Sequence, residues 1–123
     1  MQAADILRQL LDRWKAAIDT GQPEWVAEVF AGDAIFQGLR AYTVGRQGVR
    51  DYYASQPAGM TVDYRILESR TLTDDLALGY VRAAFSFPDR PTVAVHLGVL
   101  ARRAQDSWSF IYYQASAAPS SAR

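Results

Sequence analysis

The sequence predicts an α+β fold in which three N-terminal helices pack on a curved, mixed β-sheet. Two observations carry this. Apolar residues recur at helical spacing over the first 55 residues, and long β-branched and aromatic runs separated by short turns fill the chain after residue 60. Helices segregated from a meandering sheet define the class, and a sheet of such long strands curls around its helices instead of lying flat.

The elements follow in order. Ile6, Leu7, Leu10, Leu11, Trp14, Ala17 and Ile18 mark one face of a helix from Ala4 to Thr20, and Gly21 supplies its stop. Pro23 suits the first turn of a second helix, whose buried side is read as Trp25, Val26, Val29 and Phe30 and whose end is Gly32. Ala34 to Gln37 is a short strand, and Gly38 to Val44 a loop. A third helix runs from Arg46 to Ser55 with Val49, Tyr52 and Tyr53 inward; Pro57 and Gly59 break it. Four strands then run Thr61–Thr73, Leu76–Phe87, Thr92–Arg103 and Trp108–Ser116, joined at Asp74-Asp75, Pro88 to Pro91 and Gln105 to Ser107. The domain is placed at residues 4–116, with residues 117–123 as a disordered tail.

Bulk composition narrows the functions. The 123 residues suffice for one domain and one core. Thirteen basic residues balance thirteen acidic ones, so net charge offers no reason to expect nucleic acid as a partner. With no cysteine and a single histidine, thiolate and multi-histidine metal sites are excluded within the chain. No metal or cofactor is expected. The first twenty residues are amphipathic and charged, unlike a secretory leader, and no apolar run reaches membrane-spanning length. The expectation is a cytoplasmic protein with no membrane partner.

Three stretches carry a resemblance. Trp25-Val-Ala-Glu-Val-Phe-Ala-Gly-Asp-Ala-Ile-Phe36 looks like a helix-to-strand passage, Gly45-Arg-Gln-Gly-Val-Arg-Asp-Tyr-Tyr53 like a third helix, and Trp108-Ser-Phe-Ile-Tyr-Tyr-Gln-Ala-Ser116 like a last strand, of the nuclear transport factor 2-like superfamily. That superfamily includes ketosteroid isomerase, scytalone dehydratase and the SnoaL-like polyketide cyclases. The resemblance implies a cone-shaped roll, a pocket for a small apolar organic ligand and a homodimer. It does not fix a chemistry, because one scaffold hosts many. Measured against ketosteroid isomerase, Trp14 stands where a tyrosine would donate to the oxyanion. Phe36-Gln37-Gly38 holds no carboxylate where the base would lie, and the strand Thr92–Arg103 has no acid where a second donor would lie. Tyr53 matches the third-helix tyrosine. The SnoaL-type acid–base carboxylate has no counterpart.

Individual residues give the site expectations. His96 is the one side chain whose ordinary pKa lies near neutrality. It shares a strand face with Ala94, Gly98 and Leu100, a face that belongs either to the pocket or to the outer surface of the sheet. Strict alternation along the last strand puts Tyr112 and Gln114 on one face with Trp108 and Phe110, and Tyr113 on the other. A tyrosine and an amide in an apolar cavity can orient a carbonyl or hydroxyl. Arg82, mid-strand, needs a partner, and Glu68 is the expected one. Asp33 is read as a cap or turn residue. Gln37, Arg40 and Tyr42 belong to the loop after the first strand, which the resemblance places at the pocket mouth, and are either ligand-selecting or ordinary loop surface; Tyr64 and Tyr80 are sheet aromatics.

The candidate site therefore comprises His96, Tyr53 and Tyr112 as catalytic groups, with Trp14, Gln37, Arg40, Tyr64 and Gln114 as ligand contacts. Two functions stay open. One is a cofactor-independent isomerase, cyclase or dehydratase acting on an apolar carbonyl or polyketide-like compound, with His96 moving the proton. The other is a non-catalytic binding or dimerisation module.

Overall fold

A computed structural model of the protein describes residues 2–119. The chain runs α1 (Ala3–Asp19), α2 (Pro23–Ala27), β1 (Phe30–Gln37), β2 (Thr43–Val44), α3 (Arg46–Ala54), β3 (Thr61–Thr73), β4 (Leu76–Phe87), β5 (Arg90–Ala104) and β6 (Ser107–Ala117). The strands form one curved mixed sheet in the order β2-β1-β6-β5-β4-β3. Only β1 and β6 pair in parallel among these strands; the remaining neighbours are antiparallel. Among the described residues no helix is long and apolar enough to cross a membrane.

The α1 face predicted from spacing is the buried one: Ile6, Leu7, Leu10, Leu11, Trp14, Ala17 and Ile18 are all in the core. This face lies against β3 and β4 inside the curve of the sheet. Gly21, at φ +66°, ends the helix, and the Gln22 N–H donates back to the Ala17 carbonyl at 2.9 Å. Lys15 tethers α1 to the sheet. Its ammonium donates to the Val62 carbonyl at 2.6 Å and to the carboxylates of Asp19 (2.8 Å) and Asp63 (3.2 Å).

The second helix is shorter than its apolar pattern suggested. It closes at Ala27, and Phe30 already belongs to β1, so Gly32 lies inside a strand instead of ending a helix. One turn and a half cannot present a full face, and Trp25 is left 57% exposed. The Arg46 Nε–H, at the start of α3, donates to the Phe30 carbonyl at 2.7 Å and pins α3 across the head of β1. Part of the predicted loop after β1 is the two-residue strand β2, hydrogen-bonded to Ile35 and Phe36.

Register shifts decide which side chains face inward. Between β3 and β4 the pairing steps from Ile66↔Val81 to Glu68↔Tyr80, leaving Leu67 as the extra residue. Arg82 therefore sits opposite Arg65 and His96, not Glu68, and Glu68 pairs with Arg70 at 3.0 Å. Between β5 and β6 the pairing steps from Leu100↔Tyr112 to Ala101↔Phe110, which makes Ile111 the extra residue. At the tail, Ala117 belongs to β6 and the Ala118 N–H donates to the Ala94 carbonyl at 3.0 Å. The rest of the predicted disordered tail, residues 120–123, lies outside the described residues.

Candidate functional site

The Ile111 bulge rotates the end of β6 by one side-chain position. Phe110 and Tyr113 both point into the core, while Tyr112 and Gln114 face outward, where the Tyr112 hydroxyl donates to the Gln114 amide oxygen. This reverses the expected faces of Tyr112, Gln114 and Tyr113, since alternation holds only until an extra residue is inserted.

Tyr113 thereby meets residues from two helices. Spacing of four on α3 turns Val49 and Tyr53 inward together. α1 brings Trp14, which is wholly buried. The Trp14 Nε1–H donates to the Tyr53 hydroxyl at 3.1 Å, and Tyr53 donates to the Tyr113 hydroxyl at 3.4 Å. An indole can only donate, so Tyr53 accepts from Trp14 and has its own proton to give to Tyr113. Tyr113 already accepts, and no side chain or carbonyl among the described residues takes its own proton. Phe36 stacks on the Tyr113 ring at 4.8 Å and 23°, and Phe85 meets Trp14 edge-on at 6.0 Å. Burial pushes the Tyr53 and Tyr113 hydroxyls well above the usual tyrosine range, so both stay neutral donors through ordinary pH.

These tyrosines wall a cavity of about 210 Å³. Phe85, Phe87, Val93 and Val95 form its sheet side, and Tyr52, Tyr53 and Gln56 its helical side. Leu39 and Arg40 lie at its mouth; Tyr113 and Ala115 come from β6, and Met60 closes one corner. A second, larger cleft of about 450 Å³ shares Tyr53, Gln56 and Met60 with it and is bounded by the end of α1, the start of α2 and residues 56–60. That cleft is framed by turns and helix ends, whereas the smaller cavity combines apolar walls with convergent hydroxyls, the usual make-up of a ligand site.

The predicted residues divide accordingly. Tyr53 and Arg40 line the cavity, and Trp14 stands directly behind Tyr53. His96 lies on the outer sheet face, half-buried, its ring 5.3 Å from Tyr80 and its backbone opposite Arg82 and Ser116. Gln37 ends β1 opposite Gln114, outside the cavity lining. The Tyr64 hydroxyl turns to α1 and donates to the Asp12 carboxylate. Asp33, expected as a cap, sits in β1 and pairs with Arg102 at 3.1 Å. Sequence reasoning missed Tyr113, Gln56 and the Phe85–Phe87 wall; only the position of the bulge could have pointed to Tyr113. The lining holds no histidine or carboxylate, and no metal-ligating cluster occurs among the described residues.

A family described as the SnoaL-like domain matches residues 2–70, which is more than half of the chain. The chain belongs to the SnoaL-like domain family. Solved structures agree on the fold of this SnoaL-like domain. A domain of unknown function with a cystatin-like fold from Nostoc punctiforme superposes with a TM-score of 0.84 at 15% identity, over 96% of this chain and 78% of that one. A nuclear transport factor 2-like protein of unknown function from Shewanella oneidensis gives 0.80 at 16%, over 92% and 98%. A ketosteroid isomerase-like protein from Erwinia carotovora gives 0.78 at 18%, over 94% and 96%. A search of the curated proteins finds no match.

Proposed function

We propose that this domain binds a one-ring, mostly apolar molecule through a hydrogen-bond acceptor that meets the Tyr113 hydroxyl. The single observation behind this is the directed chain Trp14→Tyr53→Tyr113, which ends on a buried donor at the cavity wall. A buried donor without a partner is costly, and a ligand oxygen would satisfy it. Size supports a small ligand. An apolar cavity of about 150 Å³ takes up benzene, so about 210 Å³ suits one substituted ring.

Isomerase, cyclase or dehydratase chemistry on a carbonyl would use the same donor but also needs a base beside it. The lining offers none, which favours binding over turnover. His96 on the outer face is not positioned to serve, and we assign it no part in the pocket.

A homodimer through the outer sheet face is the second reading, favoured by one observation. Val44, Ile35, Tyr112, Leu100 and Leu78 lie side by side across five strands and form an apolar row about 19 Å long. Ile35, Val44 and Leu78 are each at least 40% exposed.

The test is titration with 4-methylacetophenone, a neutral ring ketone, followed by NMR. The expected outcome is saturable shifts at Phe85, Tyr113 and Ala115, with affinity about three- to tenfold weaker in Tyr113→Phe. Equal affinity in the two proteins would sink the reading.

A further inference from the structure

Arg40 occupies the loop between β1 and β2 at the mouth of the cavity. Its Nη1–H donates to the Ser55 hydroxyl oxygen at 3.4 Å, and no carboxylate lies within ion-pair distance among the described residues. Arg103 is balanced by Asp75 at 2.9 Å, Arg102 by Asp33 at 3.1 Å and Arg50 by Asp51 at 3.6 Å. Arg13, Arg65 and Arg82 have no carboxylate partner among the described residues either, but of these arginines only Arg40 lines the cavity. Ser55 neutralises nothing, and its own proton is spent on the Tyr52 carbonyl at 2.7 Å. A guanidinium with free N–H groups thus stands at the rim of an apolar, neutral cavity.

The two ends of the cavity make different demands. At depth the polar groups are the neutral hydroxyls of Tyr53 and Tyr113, set among Phe36, Phe85 and Val95. A charge placed there would be stripped of water without a counter-ion. At the mouth, water remains and Arg40 supplies the counter-ion, with a planar fork that suits a carboxylate. Gln56 adds an acceptor to the lining, because its Nε2–H donates to the Tyr52 carbonyl at 3.3 Å and its amide oxygen has no partner among the described residues.

We propose that Arg40 selects ring compounds bearing a carboxylate, holding that group at the mouth while a neutral carbonyl at the other end of the ring accepts from Tyr113. This rests on the pocket reading above and adds the anionic end of the ligand.

The experiment compares 4-acetylbenzoate with 4-methylacetophenone, which share ring and ketone and differ by carboxylate against methyl. Both are titrated into the wild-type protein, Arg40→Gln, Arg40→Lys and Tyr113→Phe. In the wild type at low salt the carboxylate should bind about fivefold more tightly. The ratio should fall toward one in Arg40→Gln, persist largely in Arg40→Lys and shrink as salt is added. Equal wild-type affinities, or a ratio that Arg40→Gln leaves untouched, would overturn the role of Arg40 while the neutral ketone still reports on the pocket. Absence of binding by both probes, with Tyr113→Phe indistinguishable from wild type, would overturn both readings together.

Discussion

Trp14 is the residue on which the polarity of the buried chain depends. A tyrosine or serine in its place could accept as readily as donate, and Tyr53 could then turn its proton away from Tyr113. Trp14→Phe removes the donor and leaves a void beside Tyr113 and Phe85. It should lower stability by about 1–3 kcal/mol in urea unfolding and weaken binding of the ketone probe. The same hydroxyls set an alkaline limit. Tyr53 and Tyr113 have folded pKa values raised by burial, so the folded state holds protons that the unfolded chain releases. Their contribution is complete below the unfolded tyrosine value of about 10 and is lost as pH climbs from there toward the folded values. Stability should therefore fall above that point, less steeply in Tyr113→Phe, as measured by denaturant midpoints across the alkaline range.

At the scale of elements, periodicity found the helices and long strands and failed where a single residue breaks the period. The α1 face was legible because seven apolar residues repeat it; the inner face of β6 was not, because the Ile111 bulge leaves no mark in composition. Tyr53 was legible from its place on α3 and Arg40 from its place after β1, yet Tyr112 was read in place of Tyr113. His96 could not be placed by pattern alone, since both faces of β5 alternate equally well. Deleting Ile111 should restore simple alternation with Phe110 and Tyr113 two positions apart on the same inner face, so ketone binding should persist while circular dichroism still reports a sheet. The loop after β1 is constrained from the other side. A methyl group at Gly38 would lie 2.3 Å from the Tyr52 ring, and that ring is held edge-on between Phe36 and Tyr53. Gly38→Ala should cost about 1–3 kcal/mol and weaken binding by displacing the pocket mouth.

For the whole molecule, the two faces of the sheet divide the labour: the concave face surrounds the cavity, and the convex face carries the apolar row. If the row mates with itself, Leu78→Glu should convert a dimer into a monomer in sedimentation velocity without weakening ketone binding. A wild-type monomer at micromolar concentration would count against the dimer. One further consequence lies in the sheet order. β1 finds its long neighbour only in β6, so Phe30 waits for Phe110 across almost the whole intervening chain. A ribosome must deliver β6 before the edge of β1 can be covered, and pairing between such distant segments is slow. Until then the edge of β1 that β6 covers has no partner strand, and an uncovered edge is a template for unwanted pairing. The strand that completes the pocket is also the one whose arrival lets the fold close.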